Sequence, residues 1–541
     1  LSGSFFLNLT KLQMSSFMAR NTWWVTRPKR ALPPVPRCLM AIAYEAQGKV
    51  WKSAGKTMEL TIEENLELAG LKTKGKRRDQ TGGGARTYRA WLKSLGLIFM
   101  DKDGKLWLTD AGEALVQKEA SPLAVLKKQV LEYQFPNAFA YKGASSVDTR
   151  FKVRPSIFLL QLLLDERLEG YLHEKNEIGK IVIAHGISNK ASCVDDVVTR
   201  ILKYRRIGDA SLEDNYVDLY ATKRTVRDIE KIFSNHGSIA NTFGNWLGYT
   251  QLIERYNNIW SIAPGAEDEA REIVEKYASK PLIAKPEDEE YFQRRYGLRP
   301  GKLKDTRRLE SPSNVSSKMI EEKNVLLAAE KYATQRFING VDEQLISDIS
   351  FETGVSLKDT ERILSAKYPN GLVDSFLSEY VQMAFDSRDR ATKFEKTTTS
   401  IFADIFGLYA EHIGQKGIVP DVVVASREEG WSGILDSKAY AKGYSIGHDH
   451  RNRMVEYIER YPEYGPDFAA LAFFSYVVSD YKNSVTPQIR LISEKSGVPG
   501  SVITARDIVR MVERHKKKPY THAEIREIFS LNRAITFEDI G

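Results

Sequence analysis

The chain has 541 residues, which is enough for about three to four domains of ordinary size. Its 79 lysines and arginines exceed its 71 aspartates and glutamates, and the net charge of +8 suits a polyanionic partner such as nucleic acid. No apolar run reaches the roughly 18 residues of a membrane-spanning helix. Only two cysteines occur, which argues against a disulfide framework or a cysteine zinc site and predicts a reducing cytosol.

Residues 1–57 are predicted to form an N-terminal arm. Leu1 is not a start methionine, so Met14 or Met18 is a candidate start. The opening segment lacks the basic region of a signal peptide, and we do not interpret it as one.

The arm carries paired tryptophans followed by the cations Arg27, Lys29 and Arg30. Such an arm can lie along a groove or a phosphate backbone. The alternative is that the tryptophans pack into a neighbouring domain while the cations remain in solvent.

Residues 58–150 are predicted to form a winged-helix-like DNA-recognition subdomain. Apolar residues at helical spacing predict helices over Thr61–Leu71 and Ala85–Leu95, and a hairpin with an Asp-Gly turn follows over Gly96–Thr109. The order of two helices and then a wing is typical of this fold.

A basic loop separates these two helices. It contains Lys74, Lys76, Arg77 and Arg78, followed by three consecutive glycines that would let the backbone approach phosphates. The run leads into the helix that bears Arg86 and Arg89, which favours DNA contact over a solvated charge run.

Residues 151–280 are predicted to form a second winged-helix-like recognition subdomain. Helices are expected over 157–164, 191–204, 225–235 and 239–249, and a hairpin over 252–262 repeats the ending of the first subdomain. Lys223, Arg224 and Arg227 are further DNA-contact candidates. Residues 281–385 are predicted to comprise an extended linker and a small helical subdomain.

The final segment, residues 386–541, has the pattern of an α/β domain. Helical spacing extends from Ala391 to Ile413 and is followed by a β-hairpin over 417–438 with its turn at 426–430. Further elements are then expected as a helix over 449–461, a strand over 468–478, a short strand over 488–492 and a helix over 505–515.

The hairpin carries charged residues inside its apolar strands. Because strand side chains alternate between faces, Asp436 and Lys438 should share one face, and strand pairing can bring Asp421 near Asp436. Two carboxylates and the backbone carbonyl of Ser437 would suit Mg²⁺, and Lys438 could orient the attacking water or stabilise charge in phosphodiester hydrolysis. A structural edge would leave costly buried charges, which favours the functional interpretation.

This region resembles a known family. Pro420-Asp421 and the stretch Ile434-Leu-Asp-Ser-Lys-Ala-Tyr-Ala-Lys-Gly-Tyr444 are similar to the cleavage domain of the type IIS restriction endonuclease FokI, in the PD-(D/E)xK nuclease superfamily. The resemblance implies metal binding by Asp421 and Asp436 and a catalytic role for Lys438. It also makes Glu395, on the preceding helix, a secondary metal-site candidate, with an exposed helix glutamate as the alternative.

The resemblance implies a cytoplasmic, Mg²⁺-dependent enzyme of a prokaryotic restriction–modification system, which binds asymmetric double-stranded DNA and cuts it at an offset. The expected fold is multidomain, with mainly α winged-helix recognition domains before an α/β PD-(D/E)xK nuclease domain. Cutting both strands implies a transient homodimer or a second nuclease subunit, and Arg453 and Glu456 are candidates for pairing across a two-fold axis. The simpler alternative for these two residues is an ion pair within one helix.

Three other interpretations stay open. A strand-specific nicking enzyme would use the same centre without a dimer surface. A winged-helix regulator with an inactive nuclease-like domain is disfavoured by the intact Asp421, Asp436 and Lys438. A metal site at His448-Asp-His450 has only two histidines and no further ligand nearby in the sequence.

Overall fold

The structure is a computed structural model. It describes residues 19–73, 81–117, 119–141, 146–221, 227–263, 266–278, 280–310, 317–334, 338, 340–368, 377, 380–381, 383–384, 391–414, 418–438, 444–482 and 484–541. The chain divides into two compact units. The first comprises Leu1–Glu64, Arg77–Ile262 and Ala266–Ser313, and the second comprises Asn65–Lys76, Ala263–Gly265 and Asn314–Gly541.

The first unit is mainly helical. Its principal elements are α1 Val35–Ala46, α2 Trp51–Leu68, which crosses the unit boundary, α3 Gly83–Ser94, β1 Ile98–Met100, β2 Leu106–Leu108, α4 Asp110–Val116, α5 Pro122–Glu132, α6 Pro155–Leu163, β3 Tyr171–His173, a π-helix Glu174–Val182, α7 Ala191–Ile207, α8 Tyr216–Tyr220, α9 Ile229–Tyr249, β4 Ile253–Tyr256, β5 Ile259–Ile262, α10 Glu267–Ala278 and α11 Glu289–Tyr296.

The two helices and the hairpin predicted for residues 58–118 are present. Strands β1 and β2 pair antiparallel, with Ile98 opposite Leu108, and all but Met100 of their residues are buried. Thr109 then caps α4 by accepting a hydrogen bond from the amide of Gly112. The β1–β2 hairpin is therefore short and buried.

The second predicted hairpin is also present. Strands β4 and β5 pair antiparallel, and β3 joins them to give a sheet in the order β3-β5-β4. Asn257 and Asn258 form the turn with φ values of 48° and 63°, a left-handed conformation that asparagine tolerates and that suits a two-residue hairpin. The prediction of two helices before it was wrong, because the single helix α9 continues through Gly237.

Residues 289–310 differ from the predicted extended linker. Helix α11 is followed by a segment that contacts the earlier part of the first unit, where Arg299 pairs with Asp110 at 3.1 Å and Arg307 pairs with Glu113. These ion pairs fix the segment onto α4.

The second unit begins with a small group of helices and continues with an α/β sheet. Its principal elements are α12 Ser317–Ala333, α13 Glu343–Thr353, α14 Leu357–Lys367, α15 Ala391–Ser400, a π-helix Ile401–Ile405, β6 Tyr409–His412, β7 Val422–Ser426, β8 Trp431–Lys438, α16 His448–Glu459, β9 Ala470–Val478, α17 Val485–Ser496, β10 Gly500–Thr504, α18 Ala505–Lys517, α19 His522–Phe529, β11 Arg533–Ala534 and α20 Phe537–Ile540.

Six strands of the second unit form one mixed sheet in the order β11-β10-β9-β8-β7-β6. Strands β6, β7 and β8 pair antiparallel, whereas β8 to β11 pair parallel. Helices cover both faces: Val422, Val424 and Leu435 pack in one core, and Val423 and Ile434 pack in the other. Burial on both faces explains the continuous apolar runs of these strands.

Two predictions about this unit were wrong. The helical spacing does not continue to Ile413, because β6 forms the edge strand at Tyr409–His412. The strand expected at 488–492 lies within α17, whose Ile489 and Ile492 both face the core, and the missing strand is β10, only five residues long.

None of the helices in the described ranges combines the length and the apolar character that crossing a membrane requires.

The Trp23 side chain is a core residue of the first unit. It is fully buried, makes edge-to-face contacts with Phe158 and Phe243, and donates from Nε1 to the carbonyl of Gly186 at 2.8 Å. The alternative predicted for the arm, in which its tryptophans pack into a domain, therefore holds for Trp23.

We predict that Trp23→Ala lowers the free energy of unfolding of the first unit by about 3–5 kcal/mol, because the truncation leaves a large cavity. Urea denaturation followed by circular dichroism measures the change. Trp24→Ala is the matched control, since Trp24 is partly exposed beneath the Arg20 guanidinium, and it should cost clearly less. Equal losses would contradict the assignment of Trp23 to the core.

Candidate functional site

The hairpin of β7 and β8 brings Asp421 to the side of Asp436. Val422 pairs with Leu435, so the residue before β7 lies next to the residue that follows Leu435. The Asp421 carboxylate accepts a hydrogen bond from the backbone N–H of Ser437, with a distance of 2.6 Å from nitrogen to Oδ2. This hydrogen bond thus links Asp421 directly to the segment that carries Asp436 and Lys438.

Asp436 and Lys438 face the same side of the sheet, as strand alternation predicts. The Lys438 Nζ lies 2.7 Å from Asp436 Oδ2, and the side chains are only 17% and 5% exposed. Asp436 pairs in register with Tyr476 of β9, so the site lies at the end of β8, where the pairing with β7 has ended at Leu435 and the pairing with β9 continues.

The two aspartates interact electrostatically. Burial, together with the nearby charge of Asp436, raises the pKa of Asp421 to about 8, although the ammonium of Lys438 opposes the shift. A second negative charge beside a partly buried carboxylate is unfavourable unless a proton or a cation neutralises it. The pair of aspartates therefore favours the binding of a cation.

The edge strand β6 completes the surroundings of Asp421. The amides of Ile413 and Gly414 donate to the Asp421 carbonyl at 2.9 Å and 3.2 Å. A Cβ on Gly414 would lie 3.0 Å from Asp421 Oδ1 and 3.3 Å from its Cα. Because glycine has no Cβ, the Asp421 carboxylate can occupy its position without a steric clash.

Glu395 lies on α15 with its carboxylate bound to a histidine. Its Oε2 is 2.9 Å from Nε2 of His412, and both side chains are mostly buried. The charge of Glu395 contributes to raising the pKa of Asp421, after burial and Asp436. Sequence reasoning named Glu395 but missed His412 and Gly414, because neither belongs to a recognisable spacing.

The donor set suits a hard divalent cation. Mg²⁺ prefers oxygen ligands, needs only one or two carboxylates and keeps several waters. Within the described ranges, no three His, Cys, Asp or Glu side chains are grouped closely enough to hold a metal ion, so Glu395 does not join the two aspartates as a ready ligand. Ser437 contributes its N–H to the site, and the role predicted for its carbonyl stays a prediction.

The helix α16 carries the other residues singled out in this unit. Arg453 is exposed, whereas Glu456 is half-buried. His450 stacks on Tyr444 and lies 3.0 Å from its hydroxyl, and the exposed His448 contacts Asn452. The two histidines are thus engaged with different neighbours.

The cations of the N-terminal arm lie together on the first unit. Arg27 donates to the carbonyl of Val25, and burial, with the charges of Arg30 and Arg20, lowers its pKa to about 10. Lys29 is exposed, and Arg30 donates to Ser238 and Asn241 of α9 at 3.1 Å and 3.4 Å. Among the described residues, no acidic side chain pairs with Arg27 or Arg30.

The remaining DNA-contact candidates differ from these. Arg86 pairs with Glu59 and Arg227 pairs with Asp218, so an acid already neutralises each charge. Arg89 stacks over the Trp51 ring at 4.3 Å. The other six candidates lie outside the described residues: Lys74, Lys76, Arg77, Arg78, Lys223 and Arg224.

Residues 354–536 match the family model described as FokI, cleavage domain. The match confirms the predicted resemblance of this region. The type II restriction enzyme StsI of Streptococcus sanguinis is 22% identical over 159 residues, which are 27% of this chain and 26% of that protein. The match thus spans about a quarter of the length of this curated relative.

Solved structures give fainter similarity. The restriction endonuclease FokI is 14% identical, and FokI bound to DNA is 15% identical. The alignments cover 95% and 96% of this chain and 100% of each neighbour, with TM-scores of 0.29. The BpuJ1 endonuclease binding domain, solved with modified DNA, is 13% identical over 53% of this chain and 98% of the neighbour, with a TM-score of 0.35.

We predict that Gly414→Ala lowers the nuclease activity expected from the sequence by about tenfold, because the added Cβ displaces the Asp421 carboxylate by a few tenths of an ångström. Initial rates of cleavage measure the effect. Gly447→Ala is the control, since a Cβ there meets nothing within 4 Å. Unchanged cleavage by Gly414→Ala would show that the position of Asp421 is not critical.

Proposed function

We propose that this chain is a type IIS restriction endonuclease that uses Mg²⁺ to hydrolyse DNA phosphodiester bonds at an offset from an asymmetric recognition site. The observation that carries the proposal is the arrangement of Asp421, Asp436 and Lys438 on adjacent strands, within the region that matches the FokI cleavage domain.

The residues divide the work of hydrolysis between them. Asp421 and Asp436 would hold the cation, which supplies a polarised water and neutralises charge on the phosphate when bound. Ser437 keeps the Asp421 carboxylate in place through its N–H. Lys438, whose ammonium is fixed beside Asp436, can orient the attacking water and stabilise negative charge as it develops.

The first unit offers a cationic surface for the phosphate backbone. Arg27 and Arg30 interact with one another through their charges but have no acidic partner among the described residues, so an anion would relieve their repulsion. Lys29 lies exposed between them in the sequence. Contacts to phosphates of this kind position a protein on DNA without reading the sequence.

Sequence reading would fall to α3 and the wing, in the manner of a winged helix. A cleft of about 950 Å³ is lined by Arg86, Arg89 and Lys93 of α3 and by Lys102 and Asp103 of the β1–β2 turn. Glu59 and Glu289 neutralise the charges of Arg86 and Lys93 and hold their ends in defined positions, so these two side chains would contact base edges rather than phosphates. Side chains that are already held in place lose less conformational entropy when they hydrogen-bond to base edges than freely rotating side chains do.

Cutting at an offset follows from placing the reading surface and the Asp421–Asp436 centre in different units. One centre cuts one strand, so double-strand cleavage requires two nuclease units, from a transient homodimer or a second subunit. Arg453, exposed on α16, and Glu456 are the residues that we propose for that contact.

We predict that Asp436→Asn abolishes Mg²⁺-dependent cleavage of plasmid DNA, because one of two cation-binding carboxylates is removed. The matched control is Asp480→Asn, a similarly buried aspartate of the same unit, 8% exposed against 4%. Gel analysis of cut DNA measures the activity, and full activity of Asp436→Asn would overturn the site.

We predict that replacing both Arg27 and Arg30 by alanine weakens DNA binding and reduces the slope of log affinity against log salt by about 2, roughly one for each phosphate that is no longer neutralised. Fluorescence anisotropy at several salt concentrations measures both quantities. Arg167→Ala is the control, because Arg167 is exposed but already pairs with Asp165 and Asp195. An unchanged slope in the double variant would exclude these arginines from the interface.

A further inference from the structure

His412 lies beside the acidic centre although no motif includes it. It is the last residue of the edge strand β6, its side chain is only 14% exposed, and its Nε2 lies 2.9 Å from Oε2 of Glu395. A carboxylate oxygen accepts hydrogen bonds, so the imidazole is the donor and Nε2 carries the hydrogen.

The space around Gly414 shows that this imidazole lies near Asp421. His412 pairs with Val422, the residue after Asp421. A Cβ on Gly414 would lie 3.0 Å from Asp421 Oδ1 and 3.6 Å from His412 Nε2, so both groups approach the same point. The hydrogen bond to Glu395 therefore forms at the border of the centre.

Glu395 and His412 come from different elements. Glu395 is on α15 and His412 is on β6, so their hydrogen bond ties a helix to the edge of the sheet. A glutamate side chain has several rotatable bonds and loses its orientation readily when nothing holds it. The described carboxylates do not form a three-acid ligand set, which leaves Glu395 near the centre but outside the direct ligands.

We infer that His412 is a positioning residue, whose Nε2–H holds the Glu395 carboxylate beside Asp421 so that its charge strengthens cation binding from outside the direct ligand set. The inference rests on the proposed function. Groups that hold or surround metal ligands in this way typically change metal affinity or activity by about 10–100-fold when they are removed.

Two other roles for His412 fit less well. Direct ligation is disfavoured because Mg²⁺ prefers oxygen and Nε2 already donates to Glu395. A role as the base that activates water fits less well because the nitrogen that approaches Gly414 and Asp421 is Nε2, which carries the hydrogen, whereas Lys438 is already placed on Asp436.

Manganese binding by the full-length chain tests the inference without relying on cleavage. Free Mn²⁺ is titrated by electron paramagnetic resonance in the absence of DNA, and the Mg²⁺ dependence of cleavage is measured in parallel. The variants are His412→Leu, which removes the donor, His412→Gln, whose amide can donate to Glu395, Glu395→Gln, and the double variant His412→Leu with Glu395→Gln.

The matched control is His522→Leu. His522 is also a histidine of the second unit that hydrogen-bonds a polar side chain, with Nδ1 lying 2.8 Å from Oγ of Ser426 at the turn end of β7. Its replacement measures the general effect of losing such a histidine, and circular dichroism verifies that each variant is folded.

We expect His412→Leu to weaken Mn²⁺ binding by about tenfold and to raise the half-saturating Mg²⁺ concentration similarly. His412→Gln should recover most of the affinity, His522→Leu should match the wild type, and the double variant should be no weaker than Glu395→Gln alone. Wild-type Mn²⁺ binding by folded His412→Leu, or additive losses in the double variant, would overturn the inference while the wild type still cuts DNA. A wild-type chain that neither binds Mn²⁺ nor cuts would instead refute the proposed function, and the inference with it.

Discussion

The hydrogen bond from the Ser437 N–H to the Asp421 carboxylate is the contact on which the centre depends. It spans 2.6 Å between the residue before β7 and the residue after Asp436. The bond keeps the two carboxylates close together, although burial, and after it the charge of Asp436, raises the pKa of Asp421 to about 8. A backbone donor holds this geometry without occupying the face on which Asp436 and Lys438 lie.

The sheet keeps this arrangement rigid. Strand β8 lies in the interior of the sheet, antiparallel to β7 and parallel to β9, and hydrophobic cores pack on both faces. Burying charged groups at the end of such a strand costs free energy, and apolar packing elsewhere in the unit offsets that cost. Close approach at Gly414 and the pairing of β6 with β7 enclose Asp421 from the edge. The centre is therefore a property of the whole sheet rather than of one motif.

Local patterns predicted the hairpin and the shared face of Asp436 and Lys438, because β-branched runs and period-two alternation determine both. Local patterns failed where tertiary contacts determine the secondary structure or bring distant residues together. The five-residue strand β10 is too short to show a period, and Tyr409 continues an apolar helical spacing yet lies in β6. The roles of His412 and Gly414 depend on strand register, and the pairing of Arg86 with Glu59 joins residues 27 positions apart. Sequence spacing alone contains none of these contacts.

The central claim is that the Asp421–Asp436 centre cuts DNA at a distance from sequence read by the other unit. Sequencing the ends produced when the full-length chain and Mg²⁺ act on a random-sequence DNA library tests it most directly. The account predicts one shared asymmetric sequence at a fixed distance outside every break, and no breaks when EDTA replaces Mg²⁺. Breaks without a shared neighbouring sequence, or breaks that persist in EDTA, would contradict it.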